Sequence, residues 1–175
     1  MRKCVGFSLV EVLVVLSIAS VFVVLALPSL SDFLSQSSAQ VQREKMLRAI
    51  QLARSDAIAL HDRVTLCAST DNKSCSGDWR DGYIETTDNR VLHVFQNLTS
   101  QHHELHWRSF PLNRPSLVFL SSGFPDSENG TFWYCVSSTL NPSWAIAVNQ
   151  SGRARVIMPD AGGVIWDEKG KSLEC

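Results

Sequence analysis

Two arginines near the C-terminal end of the chain have the spacing and chemistry of an anion-binding pair. They lie in Gly152-Arg153-Ala154-Arg155, at the start of a predicted strand over residues 153–158. Residues two apart on a strand project to the same face, about 6.6 Å from each other, so Arg153 and Arg155 point together while Ala154 turns away. Two guanidinium groups at this distance can engage successive phosphates. The same residues also fit a solvated strand face that follows a glycine turn.

Three histidines in a short polar segment, His102, His103 and His106, raise the question of a metal site. Their spacing is not that of the zinc motif His-Glu-x-x-His and no helical pattern surrounds them, which favours a partly exposed loop or edge-strand cluster. The sequence contains no nucleophile motif, no glycine-rich phosphate loop and no plausible acid–base pair. We therefore expect no catalytic residue, no metal, no cofactor and no small-molecule substrate, and we do not expect an enzyme.

The five cysteines are divided by a long apolar stretch. Cys4 precedes it, and four follow it, at Cys67, Cys75, Cys135 and Cys175. Four cysteines in an exported domain indicate two disulfides, for which three pairings are formally possible. We expect Cys67 to pair with Cys75 across a short polar loop, and Cys135 to pair with the terminal Cys175 and tie down the C-terminal tail.

The apolar stretch runs from Phe7 to Leu27, and its only charge is that of Glu11. As a helix it extends about 30 Å, enough to cross the hydrocarbon core of a bilayer. Arg2 and Lys3 precede it, which by the positive-inside rule places the N-terminus in the cytoplasm and the rest of the chain beyond the membrane. The stretch is too long for a secretory signal peptide, and no A-x-A cleavage pattern follows it. On hydropathy alone, a simple single-pass anchor is an open alternative.

Glu11 is unusual in such a segment, because a carboxylate costs up to about 3 kcal/mol at the centre of a membrane span. The sequence Gly6-Phe7-Ser8-Leu9-Val10-Glu11 resembles the start of type IV pilins and type II secretion pseudopilins. The resemblance implies that a prepilin peptidase cleaves between Gly6 and Phe7 and methylates the new N-terminus. It also implies that Glu11 pairs with the terminal amine of a neighbouring Phe7 during assembly, since opposite charges lower each other's cost in a poorly hydrated bundle.

Beyond the apolar stretch, the pattern predicts a helix and then a β-rich region. Apolar residues at three- and four-residue spacing indicate a helix with one face packed on a sheet. These residues are Met46, Leu47, Ile50, Ala53, Ala57, Ile58 and Leu60. Eight strands with turn signals between them are predicted to follow. Their expected bounds are 64–68, 83–86, 91–95, 105–107, 117–120, 132–136, 144–148 and 153–158.

Two internal segments resemble one branch of the pilin family. Residues 77–84 are similar to the Trp-x-x-Gly-aromatic hairpin of the H-type minor pseudopilins (GspH), a group that includes the minor pilins FimT and FimU, and residues 145–156 fit it too. The resemblance, closest to FimT, implies an α+β pilin fold with a long hydrophobic N-terminal spine helix packed on a β-rich, antiparallel, sandwich-like head. The expected parts are a leader at 1–6, a transmembrane and assembly helix at 7–27, a helix extension on the head at 28–62 and a periplasmic or extracellular head at 63–175.

Gly152-Arg153-Ala154-Arg155 resembles the Gly-Arg-x-Arg motif of FimT-like minor pilins that bind DNA in natural transformation. This resemblance implies a minor pilin at or near the tip of a type IV pilus that captures extracellular DNA. Its expected partners are the prepilin peptidase, other pilins or pseudopilins and the inner membrane. The alternative is an H-type pseudopilin with a purely structural role in type II secretion.

The charge of the chain limits the DNA hypothesis. Removing Arg2 and Lys3 from 16 basic residues leaves 14, against 17 acidic residues, a net charge of −3. DNA binding must therefore be local and must weaken steeply with salt. Other cations extend the arginine pair only if the fold brings them close; these are Arg90, Arg108, Arg114, Lys169 and Lys171.

Overall fold

The computed structural model describes residues 8–88, 90–96, 103–111, 113–126, 129–136, 140–167 and 170–175. The chain divides into two compact units, residues 1–38 and residues 39–175. Within these described residues, one helix, α1 (Leu9–Leu60), precedes eight strands. The strands are β1 (Val64–Ala68), β2 (Gly82–Thr86), β3 (Val91–Gln96), β4 (His103–Phe110), β5 (Ser116–Phe119), β6 (Asn129–Val136), β7 (Trp144–Val148) and β8 (Ala154–Ile157). All eight predicted strands are confirmed in position; β4 and β6 are several residues longer than predicted, and β8 is shorter, since Arg153 and Met158 lie outside it.

The first unit contains the N-terminal half of α1. Glu11 lies in its first turn, where the backbone N–H of Glu11 donates to Ser8 Oγ at 3.3 Å and satisfies one of the free donors of a helix start. The large apolar side chains between Leu9 and Val23 are exposed. Among the described residues, no helix is both long enough and apolar enough to cross a membrane.

In the second unit, α1 packs through a stripe of small and apolar side chains. Met46, Ala49, Ile50, Ala53 and Ala57 are at most 1% exposed, which confirms the predicted three- and four-residue spacing. The prediction was wrong for two residues at the end of the stripe, because Ile58 and Leu60 are 44% and 41% exposed.

The helix ends at Leu60 through a left-handed cap. His61 has a φ of 54°, and the N–H of Asp62 reaches back to the carbonyl of Ala57 at 3.3 Å. This bond spans five residues, as in a Schellman motif, and it satisfies a carbonyl that the helix leaves unpaired. The chain then turns directly into β1.

The strands form two antiparallel sheets, with the orders β3-β2-β1-β5 and β4-β6-β7-β8. One cluster of buried side chains joins the helix to both sheets; it includes Ile50, Ala53, Leu66, Tyr83, Phe119, Phe132, Trp144 and Ile146. Trp144 Nε1 donates to the carbonyl of Ala39 at 2.8 Å and thereby links β7 to the helix. The predicted α+β fold with a helix on an antiparallel, β-rich head is confirmed.

The described part of the chain contains the disulfides Cys67–Cys75 and Cys135–Cys175, which are the two expected pairs. Cys135–Cys175 joins β6 to the end of the chain. A second small core forms beside it, where Ile165 and Leu173 of the C-terminal tail pack on Ala145. The tail therefore covers part of the face of the second sheet that is turned away from the main core.

Candidate nucleic-acid interface

The arginine pair follows a tight turn between β7 and β8. Asn149 organises this turn, because its side-chain oxygen accepts hydrogen bonds from the N–H of Ser151 at 3.1 Å and from the N–H of Arg153 at 2.9 Å. Its backbone N–H also donates to the carbonyl of Arg153 at 3.1 Å. Asparagine is suited to such turns, since its short side chain substitutes for a backbone partner.

Gly152 is the position of this turn that requires glycine. Its φ is +75°, in the left-handed region that side chains disfavour. A Cβ at this position would lie 2.5 Å from the carbonyl oxygen of Gly123 and 3.3 Å from the ring of Phe119. The turn is therefore seated against the loop after β5, and the backbone direction of Arg153 follows from that contact.

The side chains after Gly152 alternate between solvent and core. Arg153 and Arg155 are exposed, whereas Ala154 and Val156 are half-buried and pack on the main core. This alternation is the one expected for a half-buried strand. The structure shows no ion pair between either arginine and another described residue, so both guanidinium groups are available to an anion.

Strand register places a third arginine in line with Arg155. Arg155 lies opposite Ala147, Ala147 opposite Thr131 and Thr131 opposite Arg108. Directly paired residues project to the same face of a sheet, so Arg155 and Arg108 share one face across β8, β7, β6 and β4. Three strand spacings separate them by about 14 Å at the backbone. We call this row the cross-strand row.

Arg108 is already engaged by the C-terminal tail. Its guanidinium group donates to Asp167 Oδ2 at 2.9 Å and lies 5.6 Å from the ring centre of Trp133. Asp167 therefore offsets part of the positive charge at this end of the row. The C-terminal tail therefore influences how strongly Arg108 attracts an anion. No sequence motif predicted this role of the tail.

A groove of about 550 Å³ lies beside Arg108. The residues that line it include Arg108, Thr131, Asp167 and Lys171. Lys171 is exposed. The groove thus adds cations and hydrogen-bond donors to the face that carries Arg155.

The other predicted cations do not join this surface. Arg90 precedes β3 at the edge of the first sheet and lines a different cavity, beside Asp56 and His93. Arg114 Nη1 lies 3.6 Å from Asp126 Oδ2. Lys169 is outside the described residues. Among the described cations, the structure therefore places Arg155 in one row with Arg108, and Lys171 beside Arg108 at the groove, while Arg153 directly precedes β8.

The remaining predicted site residues lie elsewhere. Gly6 and Phe7 are outside the described residues, and Glu11 is exposed in the first turn of α1. Among the predicted histidines, His102 is outside the described residues and His103 begins β4, an edge strand. His106 Nε2 lies 3.3 Å from Glu104, and its ring stacks on Trp133 with centres 5.1 Å apart.

Comparison with known families and structures places this fold among secretion and pilus proteins. Residues 42–152, more than half of the chain, match the family described as type II transport protein GspH, and residues 1–27 match the prokaryotic N-terminal methylation motif. The chain belongs to the GspH family. It is thus an H-type minor pilin or pseudopilin, and the sequence resemblance is confirmed at that level.

Solved structures share the fold at low sequence identity. The type IV minor pilin FimU of Pseudomonas aeruginosa is 19% identical, with a TM-score of 0.52 and coverage of 70% of this chain and 87% of that chain. The minor pseudopilin EpsH of the Vibrio cholerae type II secretion system is 13% identical, with a TM-score of 0.53 and coverage of 71% and 99%. Comparison with curated protein sequences finds no match.

Proposed function

We propose that this chain is a minor pilin that binds extracellular DNA at or near the tip of a type IV pilus, for uptake in natural transformation. The observation that carries the proposal is the exposed Arg153–Arg155 pair, of which Arg155 shares a sheet face with Arg108 through the cross-strand row. Arginine binds phosphate through paired N–H donors, and phosphate contacts supply most of the affinity that is independent of base sequence.

The proposal includes a route into the filament. A prepilin peptidase cuts the leader 1–6 from the chain between Gly6 and Phe7 and methylates the new terminus. The segment 7–27 holds the precursor in the inner membrane with residues 63–175 in the periplasm, and Glu11 then pairs with the terminal amine of a neighbouring pilin. The N-terminal methylation motif over residues 1–27 supports this route, as does the exposed apolar surface between Leu9 and Val23, which suits lipid and then sibling helices.

The test measures DNA binding by the full chain in detergent. Fluorescence anisotropy of labelled DNA reports the binding at two salt concentrations. Replacing both Arg153 and Arg155 with Gln is expected to remove most of the binding at low salt. If both arginines contact phosphate, the slope of log K against log salt falls by about 1.8 for duplex DNA, or by about 1.4 for a single strand.

The matched control is Arg48→Gln combined with Arg90→Gln, which removes the same charge from exposed positions outside this interface. The control is expected to keep the binding and its salt slope. Equal losses in the two double variants would show a general charge effect, and unchanged binding in the Arg153 and Arg155 variant would refute the proposal. Circular dichroism of each variant checks that the fold is kept.

The second candidate is an H-type pseudopilin that assembles with sibling subunits in type II secretion. The match to the family described as type II transport protein GspH favours it. This role needs no DNA affinity. Two results together would therefore favour the second candidate over the first: the chain binds no DNA at low salt, and deletion of its gene abolishes secretion but leaves transformation intact.

A further inference from the structure

Three side chains with metal-ligating atoms converge where α1 crosses the first sheet. They are Asp56 of α1, Glu85 of β2 and His93 of β3, and one ligand atom of each lies within 4.8 Å of the other two. Glu85 and His93 are directly opposite each other in the strand register, so both project towards the same face. The helix supplies Asp56 from above that face.

Glu85 is the residue of this cluster whose buried carboxylate lacks a hydrogen-bond partner among the described residues. It is fully buried, and as a carboxylate neither of its oxygens accepts a hydrogen bond from a described residue. An ionised group that is buried without a partner is strongly unfavourable. Either a proton or a cation must therefore neutralise the buried Glu85 carboxylate.

The geometry suits a cation. Asp56 Oδ2 and His93 Nε2 lie 3.3 Å apart, which is a long hydrogen bond. It is also about the separation of two donors on a tetrahedral ion with bonds of about 2.0–2.1 Å. Two carboxylates balance the charge of a divalent ion. An oxygen of Glu85 lies within 4.8 Å of both other ligand atoms, so it must approach them by up to about 1.5 Å to reach the same separation.

The donor set also limits which ion fits. Imidazole nitrogen with two carboxylates suits zinc and similar transition metals, whereas magnesium and calcium prefer oxygen alone. A cavity of about 320 Å³ lies beside the cluster, lined by both Asp56 and His93, and it offers an entry path and room for a water ligand. Arg90 lies on the rim of this cavity.

We propose that Asp56, Glu85 and His93 form a binding site for a divalent transition-metal ion, with Zn²⁺ as the best match and water in the open position. The ion would join α1 to β2 and β3, the two strands at one edge of the first sheet. This role is independent of DNA binding, since no residue of the cross-strand row takes part.

The experiment is a titration of the full chain in detergent, stripped with chelator and then dialysed against metal-free buffer. Isothermal calorimetry with Zn²⁺ is expected to show one ion per chain. Co²⁺ is expected to give visible absorption bands of a tetrahedral nitrogen–oxygen site, and Zn²⁺ is expected to raise the melting temperature.

Glu85→Gln tests the cluster with little risk to the fold, because Gln is neutral and nearly the same size. This variant and His93→Ala are each expected to weaken Zn²⁺ binding at least about tenfold. The matched control is Glu104→Gln, since Glu104 also faces a histidine at 3.3 Å but belongs to no group of three ligands among the described residues. The control is expected to bind Zn²⁺ like the parent chain.

Two results would overturn the proposal. If the stripped chain binds neither Zn²⁺ nor Co²⁺, a proton is what neutralises Glu85. If binding persists unchanged in both Glu85→Gln and His93→Ala, the ion is held elsewhere, for example by the thiol of Cys4.

Discussion

Gly152 couples the backbone of the β7–β8 turn to the exposure of the arginine pair. Its left-handed φ and its contact with the carbonyl of Gly123 fix the point at which Arg153 leaves the turn. A side chain at position 152 would destabilise the fold in two ways. The left-handed φ is unfavourable for it, and its Cβ would overlap with the carbonyl oxygen of Gly123. A second glycine of the chain allows the two effects to be measured separately.

Gly152→Ala is expected to destabilise the chain more than Gly170→Ala. Gly170 has nearly the same φ, +74°, but nothing lies within 4 Å of a Cβ placed there. Gly170→Ala should cost about 1–2 kcal/mol from the left-handed backbone alone. Gly152→Ala should add about 1–3 kcal/mol from overpacking against the loop. Urea unfolding measures both, and equal losses would mean that the contact with Gly123 is unimportant.

At the scale of elements, the carboxylate of Asp71 organises the part of the β1–β2 loop that the Cys67–Cys75 disulfide closes. Asp71 Oδ1 accepts hydrogen bonds from the N–H of Lys73 at 2.9 Å and the N–H of Ser74 at 2.8 Å, inside the loop closed by Cys67–Cys75. The backbone donors of Ser74 and Lys73 hold the pKa of Asp71 well below its ordinary value of 3.8.

This shift predicts how the loop responds to acid. Because the folded pKa is depressed, the stabilisation is complete above the ordinary value of 3.8 and is lost as the pH falls through the folded pKa. Asp71→Asn should therefore lower the melting temperature at about pH 6 and flatten its decline towards about pH 2.

The control for Asp71→Asn is Asp88→Asn, which lies outside this loop, between β2 and β3. Asp88 is exposed and makes no hydrogen bond with another described residue. Asp88→Asn should leave the acid limb of the melting curve close to that of the parent chain. An unchanged acid limb in Asp71→Asn would contradict the assignment of acid sensitivity to this carboxylate.

For the whole molecule, the two disulfides close loops of very different length. Cys135–Cys175 spans 40 residues and joins the tail to β6, whereas Cys67–Cys75 spans 8 residues within one loop. The half-cystines Cys67 and Cys135 are equally buried, at 3% and 2% exposure, which makes the two disulfides a matched pair for substitution.

Replacing both cysteines of Cys135–Cys175 with Ser is expected to cost more stability than the same change at Cys67–Cys75. The chain-entropy model gives about 4 kcal/mol for the long loop and about 2.5 kcal/mol for the short one. Loss of the long disulfide should also free Asp167 from Arg108 and expose the outer face of the second sheet. Denaturant unfolding and hydrogen exchange at β6 and β7 measure the two effects, and a larger loss from the short loop would contradict this order.

Local patterns were sufficient for the elements and for part of the site. The strand at Val64–Ala68 and the strand at Trp144–Val148 have the predicted bounds, because alternation and flanking turn residues act within a few residues. The exposure of Arg153 and Arg155 also follows from strand periodicity alone. The exposed Ile58 shows the limit, since apolar spacing cannot tell where the sheet beneath a helix ends.

The sequence by itself therefore determined the N-terminal methylation motif over residues 1–27, the order of the elements and the turn that exposes Arg153 and Arg155. Only the tertiary structure decided that Arg108 shares a row with Arg155, and that Asp56 and His93 meet at Glu85. Sheet order and register join residues that are distant in the chain, and they follow from how both sheets pack on one helix. That packing depends on the whole core, whereas periodicity and turn chemistry are properties of short segments.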